Sequence, residues 1–464
     1  MSRRVRLSAT LTAGLLATSG LLATSAPRAL AADEPAPPFD QVANCVSFGR
    51  AIEPVANGVS PGQRLVGQTQ LWELSRGAGV TVAIIDTGVT PGPAFQGRLV
   101  AGGDLVEPGS PSPGLADCDG HGTLVAGLIG GAPDTTSGFA GVAPDVRLLS
   151  IRHNSMAFAP KGTRTPGVGG VASLAQAIDL AVSQRADIIN ISSAYCGPAL
   201  TANDARLTAA IERAVAADVL VVVAAGNLGS SQTCTTQNTP GRAPVTGAIP
   251  ATIPAALTVG AVDAQGQPAE FSLAGPWVDL AAPGAKIIST NPHPTQSGQV
   301  GTIVGTQGDV EIQGTSFAAP YVTGVAALVR SRFPHLDARH VMARLMETAD
   351  HPAGAGEQSI FVGHGIVNAR RALTAVLSSE AGLTGSPGSP GSSGATEAAG
   401  SAPTRAAALP AGDVAAPSGG GEAFALVGSG LLLAVLVAAV LARSMRRRAA
   451  LARAGSTDNV VASG

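Results

Sequence analysis

The sequence predicts an α/β fold: a mainly parallel β-sheet with helices on both faces. Three observations predict it. Apolar, β-branched runs without polar alternation recur along the middle of the chain, as strands buried on both faces require. Segments with apolar residues at helical spacing separate these runs, and such alternation builds a sheet covered on both sides. Two of the runs lead into side chains suited to chemistry, Asp86 and Asn227, and ligands of such sheets bind beyond the carboxyl ends of the strands.

The elements follow in order. Val82-Ala83-Ile84-Ile85 reads as a strand that delivers Asp86 to its carboxyl edge, with Thr87-Gly88 as the turn. Asp119-Gly120-His121-Gly122-Thr123 puts a histidine at the entrance of an apolar helix over 124–129, and its flanking glycines leave room for a substrate. Residues 146–151 read as a strand. A helix is expected over 172–184, with Leu174, Ala177, Ile178 and Ala181 on one face. A strand over 187–192, a helix over 203–217 and a strand over 219–225 come next, the last running into Gly226-Asn227. Finally Gly314-Thr315-Ser316-Phe317-Ala318-Ala319-Pro320 opens an apolar helix that runs on through 321–329. Pro320 is expected within or just beyond the first turn, where few N–H bonds are lost.

A serine at a helix start has free N–H groups and the positive end of the helix dipole beside its oxygen. That suits a nucleophile, yet serine is also an ordinary N-cap residue. A strand-end aspartate is often a cap, and a lone histidine is often structural. What lifts all three is their combination. The chain order Asp86, His121, Ser316 is that of subtilisin-type proteases and not of chymotrypsin or the α/β-hydrolases. Asp-Thr-Gly, His-Gly-Thr and Gly-Thr-Ser-x-Ala-x-Pro resemble the subtilase motifs, and Val221-Val222-Val223-Ala224-Ala225-Gly226-Asn227 resembles the strand that carries the oxyanion-hole asparagine. The resemblance spans about residues 71–373.

This resemblance implies a subtilisin-like fold and an Asp-His-Ser triad that cleaves peptide bonds through an acyl-enzyme. His121 would take the Ser316 proton and Asp86 would hold the imidazole in the useful tautomer. Asn227 and the Ser316 backbone N–H would receive the oxyanion. Ser192, Ser193 and Ala194 would form the extended strip that pairs with substrate backbone. Ala194 stands where many subtilases have glycine, which bears on pocket size. Calcium is the usual subtilase stabiliser, but no Asp/Glu cluster in the sequence identifies ligands, and no other cofactor is implied.

Length and composition bound the rest. The chain has 464 residues, net charge −2 and 13% charged residues, against about 25% on average, which argues against nucleic acid as a partner. Residues 1–32 have the form of a signal peptide: Arg3, Arg4 and Arg6, an apolar stretch over 7–22, then Ala29-Leu30-Ala31. Arg3-Arg4 leaves the twin-arginine route open beside the general one. Residues 33–79 are an N-terminal extension and 80–377 the catalytic domain. Residues 378–422 are a linker rich in Gly, Pro, Ser and Ala. Residues 423–442 carry no charge and are long enough to cross about 30 Å of hydrocarbon as a transmembrane helix. Arg443, Arg446, Arg447, Arg448 and Arg453 follow, so the tail 443–464 should be cytoplasmic and the catalytic domain outside the cell membrane.

Cys45, Cys118, Cys196 and Cys234 allow three disulfide pairings. Cys196 and Cys234 each follow a strand ending at the same sheet edge, which favours Cys196–Cys234 and leaves Cys45–Cys118. A metal site would need a Cys-x-x-Cys spacing that is absent. With Cys45 tied to the loop before His121, the extension reads as a permanent wrap instead of a removable inhibitor. The extension, the single C-terminal membrane helix and the basic tail together resemble the mycosins. These are membrane-anchored subtilases associated with type VII secretion systems. That implies protein or peptide substrates, the cell membrane and a type VII secretion membrane complex as partners. Two rival readings remain. An aspartic protease shares Asp-Thr-Gly but needs a second copy of it, which the sequence lacks. A structural subunit of the secretion complex with little or no required proteolysis is the other.

Overall fold

Seven strands form the central sheet, ordered across it as Leu280–Pro283, Leu257–Val262, Leu220–Ala224, Ile188–Ile191, Thr81–Asp86, Arg147–Arg152 and Leu99–Asp104. Every neighbouring pair is parallel. The structure is a computed structural model and describes residues 39–49, 60–67, 71–134, 137–198, 204–296, 298–351 and 359–383. The stretches expected to be a signal peptide (1–32), a membrane helix (423–442) and a tail (443–464), and the expected linker from 384 onward, lie outside the described residues. Among the described residues no helix is long and apolar enough to cross a membrane.

Side chains of a strand alternate between its faces, and here the alternation divides the core in two. Val82, Ile84, Val222, Ala224, Val259 and Ala261 pack with the helices His121–Gly130 and Thr315–Arg332. Ala83, Ile85, Val221 and Val223 pack with Val171–Ser183 and Ala205–Ala216 on the other face. Helices on both faces explain why these strands read as unbroken apolar runs. The chain first adds strands on one side of Thr81–Asp86, then restarts on the other side with Ile188–Ile191. The crevice of a doubly wound sheet opens at such a reversal, and Asp86 ends the strand beside it.

Most predicted elements shift by no more than two residues. The helix expected over 203–217 is Ala205–Ala216, because the Asp204 side chain caps it by accepting from Leu207 N at 2.9 Å. Three strands of the central sheet lie outside the predicted elements: Leu99–Asp104, Leu257–Val262 and Leu280–Pro283. Gly and Ala dilute the β-branched signal in all three.

Pro320 lies just beyond the first turn, as expected. The last helix of the triad motifs begins at Thr315, so Pro320 is its sixth residue and lies in the second turn. There it withholds the N–H that would pair with the Ser316 carbonyl.

Both disulfides form as favoured, Cys45–Cys118 with Cα atoms 4.5 Å apart and Cys196–Cys234 with Cα atoms 5.3 Å apart. The extension is laid onto the domain by backbone pairing on both sides of Cys45. Phe39–Gln41 runs antiparallel to Phe158–Pro160, and Phe48–Gly49 pairs with Thr302–Ile303. Val46 N donates to Cys118 O at 2.9 Å. Cys45–Cys118 closes a separation of 73 residues, and a crosslink of this kind stabilises by about 2–4 kcal/mol. Cys45→Ser with Cys118→Ser should therefore lower Tm by about 5–10 °C and reduce activity, since Cys118 stands three residues before His121. Calorimetry and non-reducing peptide mapping check this. An unchanged Tm, or Cys45 joined to Cys196 or Cys234, would overturn it.

Candidate active site

Asp86 is the last residue of its strand and is 2% exposed. One carboxylate oxygen, Oδ1, accepts from Thr87 N at 2.8 Å and faces His121 Nδ1 at 2.7 Å. His121 opens the helix His121–Gly130, so the helix start aims its ring over the carboxyl end of the sheet. The other ring nitrogen, Nε2, is 3.0 Å from Ser316 Oγ. The Phe317 ring lies against the imidazole, with centroids 4.9 Å apart. Asp86, His121 and Ser316 thus form one hydrogen-bonded line, drawn from three elements that the sheet and its helices bring together.

The two glycines beside His121 do a different job from the one expected. Gly120 is the N-cap residue with φ +73°, and a Cβ there would overlap the Phe48 ring of the extension. A Cβ on Gly122 would overlap the Gly88 carbonyl. Both admit close packing of protein against the helix start and are not openings for substrate.

Ser316 is the second residue of Thr315–Arg332 and 2% exposed. Asn227 follows the strand Leu220–Ala224 and its turn. Its Oδ1 accepts from Thr315 N at 2.9 Å and from Thr315 Oγ1 at 3.0 Å. Those donors fix the amide orientation, so Nδ2 remains the outward donor. Thr315 Oγ1 in turn accepts from Gly226 N at 3.1 Å. Ser316 Oγ and Asn227 Nδ2 both border Gly314. Thr315 is therefore an orienting residue that motif reading passed over.

Asp117, part of the Asp117-Cys118-Asp119-Gly120-His121 stretch that resembles the mycosins, has a role that the motif alone does not give. It accepts from Thr87 Oγ1 at 2.7 Å, Gly120 N at 2.7 Å, Thr123 N at 2.8 Å and Thr123 Oγ1 at 2.6 Å. It ties the turn after Asp86 to the start of the His121 helix. Asp119 accepts from Ser155 Oγ at 2.5 Å and Met156 N at 2.7 Å. The signal for both was their spacing just ahead of His-Gly-Thr.

Of the strip 192–194, Ser192 is buried and its hydroxyl turns toward Ser316 instead of the cleft, donating to the Ser316 carbonyl at 2.7 Å. Ser193 Oγ lies 3.3 Å from His153 Nε2. Ala194 is partly buried against the sheet core. His153 stands next to the triad, its backbone N donating to Asp86 O at 3.0 Å. Burial lowers the pKa of His153 to about 4 despite the nearby Asp86 charge, so this second histidine stays neutral beside the first.

Burial also works against charging His121, but the Asp86 carboxylate and its hydrogen bond, then Asp117 and Asp119, outweigh it, and the His121 pKa is raised. The carboxyl of Asp117 is pushed up to about 6, chiefly by desolvation and further by Asp119, against its hydrogen bonds. A base must be neutral to accept a proton, so activity should be lost as pH falls through the raised His121 value. The acid limb of kcat/KM is expected above the unperturbed histidine value of about 6.5. A pH–rate profile checks this, and a midpoint below 6 would contradict it.

Fold and site together have the form of an α/β serine hydrolase with Asp, His and Ser in that chain order. The subtilase family model matches residues 77–365. Mycosin-4 of Mycobacterium tuberculosis is 48% identical over 324 residues, which cover 68% of this chain and 69% of that protein. The solved structure of the MycP3 protease from the type VII (ESX-3) secretion system superposes with a TM-score of 0.66 at 42% identity, covering 73% of this chain and 95% of the other. A chain of an intact ESX-5 inner membrane complex superposes with a TM-score of 0.67 at 32% identity, covering 90% of this chain and 95% of its own. The chain belongs to the subtilase family of serine endopeptidases, in its mycosin branch.

Proposed function

We propose that this protein is a membrane-anchored, extracytoplasmic serine endopeptidase that serves a type VII secretion system. The observation that carries the catalytic reading is the line from Asp86 through His121 to Ser316, at 2.7 and 3.0 Å. In the reaction Ser316 Oγ attacks the scissile carbonyl while His121 Nε2 takes its proton. Asp86 keeps Nδ1 protonated and stabilises the imidazolium. Negative charge forms on the carbonyl oxygen and is met by Asn227 Nδ2 and the Ser316 N–H. His121 then protonates the leaving amine, and water hydrolyses the acyl-enzyme by the reverse sequence. Backbone of the strip 192–194 would hold the substrate. The raised His121 pKa fits an imidazolium that is favoured in the transition state.

The anchoring reading rests on the uncharged segment 423–442 and the arginines behind it. Residues 1–32 would direct export, and the linker 378–422 would hold the catalytic domain away from the membrane. The similarity to a chain of an inner membrane complex supports assembly with such a complex. A subunit kept for structure alone is not favoured, because the four catalytic side chains are intact and aligned.

In cells that carry the full chain, protease added outside should release a soluble catalytic domain by cutting within 378–422. A truncation before Ala423 should leave the membrane fraction. If that truncated chain stays membrane-bound, the anchor lies elsewhere. If the full chain does not co-purify with a type VII membrane complex in a host that has one, the assembly reading fails while the catalytic one stands.

A further inference from the structure

Pro320 leaves the Ser316 carbonyl without the N–H donor that an ordinary residue would supply from one turn along the helix. A buried carbonyl without a partner is costly, and here the partner comes from outside the helix. Ser192 Oγ donates to Ser316 O at 2.7 Å. Behind it, Asn190 Nδ2 donates to Ser192 Oγ at 2.9 Å. Behind that, Thr323 Oγ1 donates to Asn190 Oδ1 at 2.8 Å. Asn190 and Thr323 are wholly buried and Ser192 is 5% exposed, so water does not compete for these groups.

We infer that Ser192, Asn190 and Thr323 are positioning residues for Ser316: a hydrogen-bonded clamp that fixes the start of the nucleophile helix. The inference rests on the reading of Ser316 as nucleophile. Its direction follows from the donors available. Thr323 gives its single proton to Asn190 Oδ1, which fixes the amide. The amide then donates to Ser192, and the Ser192 proton is left for the Ser316 carbonyl. The clamp leaves the helix at Thr323, crosses the strand Ile188–Ile191 next to the Asp86 strand, and returns to the same helix at Ser316. It thereby ties the nucleophile to the sheet that holds Asp86. A shift of the Ser316 backbone would move Oγ away from His121 Nε2, and transfer rates fall steeply with such misplacement.

The test uses the full chain and two readouts: peptide hydrolysis, and the rate at which a fluorophosphonate labels the enzyme, each corrected for the folded fraction. Ser192→Ala removes the last link. It should lower kcat and the labelling rate together by about 10-fold, the scale of one lost hydrogen bond, with KM within about 2-fold. Adding Pro320→Ala returns an N–H to the Ser316 carbonyl, and the double variant should recover at least half of the loss on a logarithmic scale. Thr323→Val, which keeps shape and drops the outermost donor, should lower both rates about 3-fold, and Thr323→Ser should restore them. The clamp is overturned if folded Ser192→Ala is labelled at the wild-type rate, if only KM changes, or if the double variant is no faster than the single one. Labelling that persists in Ser316→Ala would instead show that the nucleophile reading is wrong.

Discussion

Ser316→Ala is expected to lower kcat by about 10⁶-fold, the loss found for subtilisin without its nucleophile, and to leave the melting temperature nearly unchanged. The size follows from the arrangement. Ser316 Oγ sits 3.0 Å from His121 Nε2, and no other hydroxyl lies within hydrogen-bonding distance of that nitrogen among the described contacts. Alanine removes one oxygen at a site that is already buried, so packing barely changes. Residual turnover of about 10³–10⁴ over water should survive, because the oxyanion donors and substrate binding remain. Hydrolysis of a peptide substrate by the purified variant, with calorimetry alongside, measures both quantities. Activity well above that residue would show that another group is the nucleophile.

Asn227→Ala is expected to lower kcat by about 10²–10³-fold, as loss of the corresponding donor does in subtilisin, with KM nearly constant. The donor meets charge that exists only in the transition state, so ground-state binding is spared. The Thr315 contacts sharpen the expectation. They hold the carbonyl end of the Asn227 side chain at 2.9 and 3.0 Å, so in the native protein Nδ2 is oriented before the reaction begins. Steady-state kinetics separate the two parameters, and an effect confined to KM would remove Asn227 from the oxyanion hole.

The candidate catalytic side chains were legible because each stands at the end or the start of a short run with a strong local pattern. An apolar strand ending in Asp86, a glycine-flanked histidine before an apolar helix, and a serine opening another are each readable without tertiary information. Their convergence follows from the alternation of strands and helices, which puts strand ends and helix starts on one edge. What escaped was set by packing. Asp117 is one polar residue among several in a loop until the fold brings Thr87, Gly120 and Thr123 to it. His153 follows an arginine at a strand end, and no pattern in the sequence says that it comes to rest, neutral, beside the triad. Gly120 and Gly122 were rightly marked as special but for the wrong neighbour, since the extension and the Gly88 carbonyl occupy the space near them. Pro320 lies just beyond the first helical turn, where the pattern puts it, but which carbonyl loses its partner is read only from the helix start. The N–H that Pro320 lacks is what reveals the clamp on the Ser316 carbonyl.

The site of a covalent adduct identifies the nucleophile directly. The folded protein is treated with a fluorophosphonate and digested, and the modified peptide is sequenced by mass spectrometry. One adduct is expected, on Ser316; it should disappear in Ser316→Ala and form far more slowly in His121→Ala. An adduct on a different serine, or labelling of His121→Ala at the wild-type rate, would contradict it.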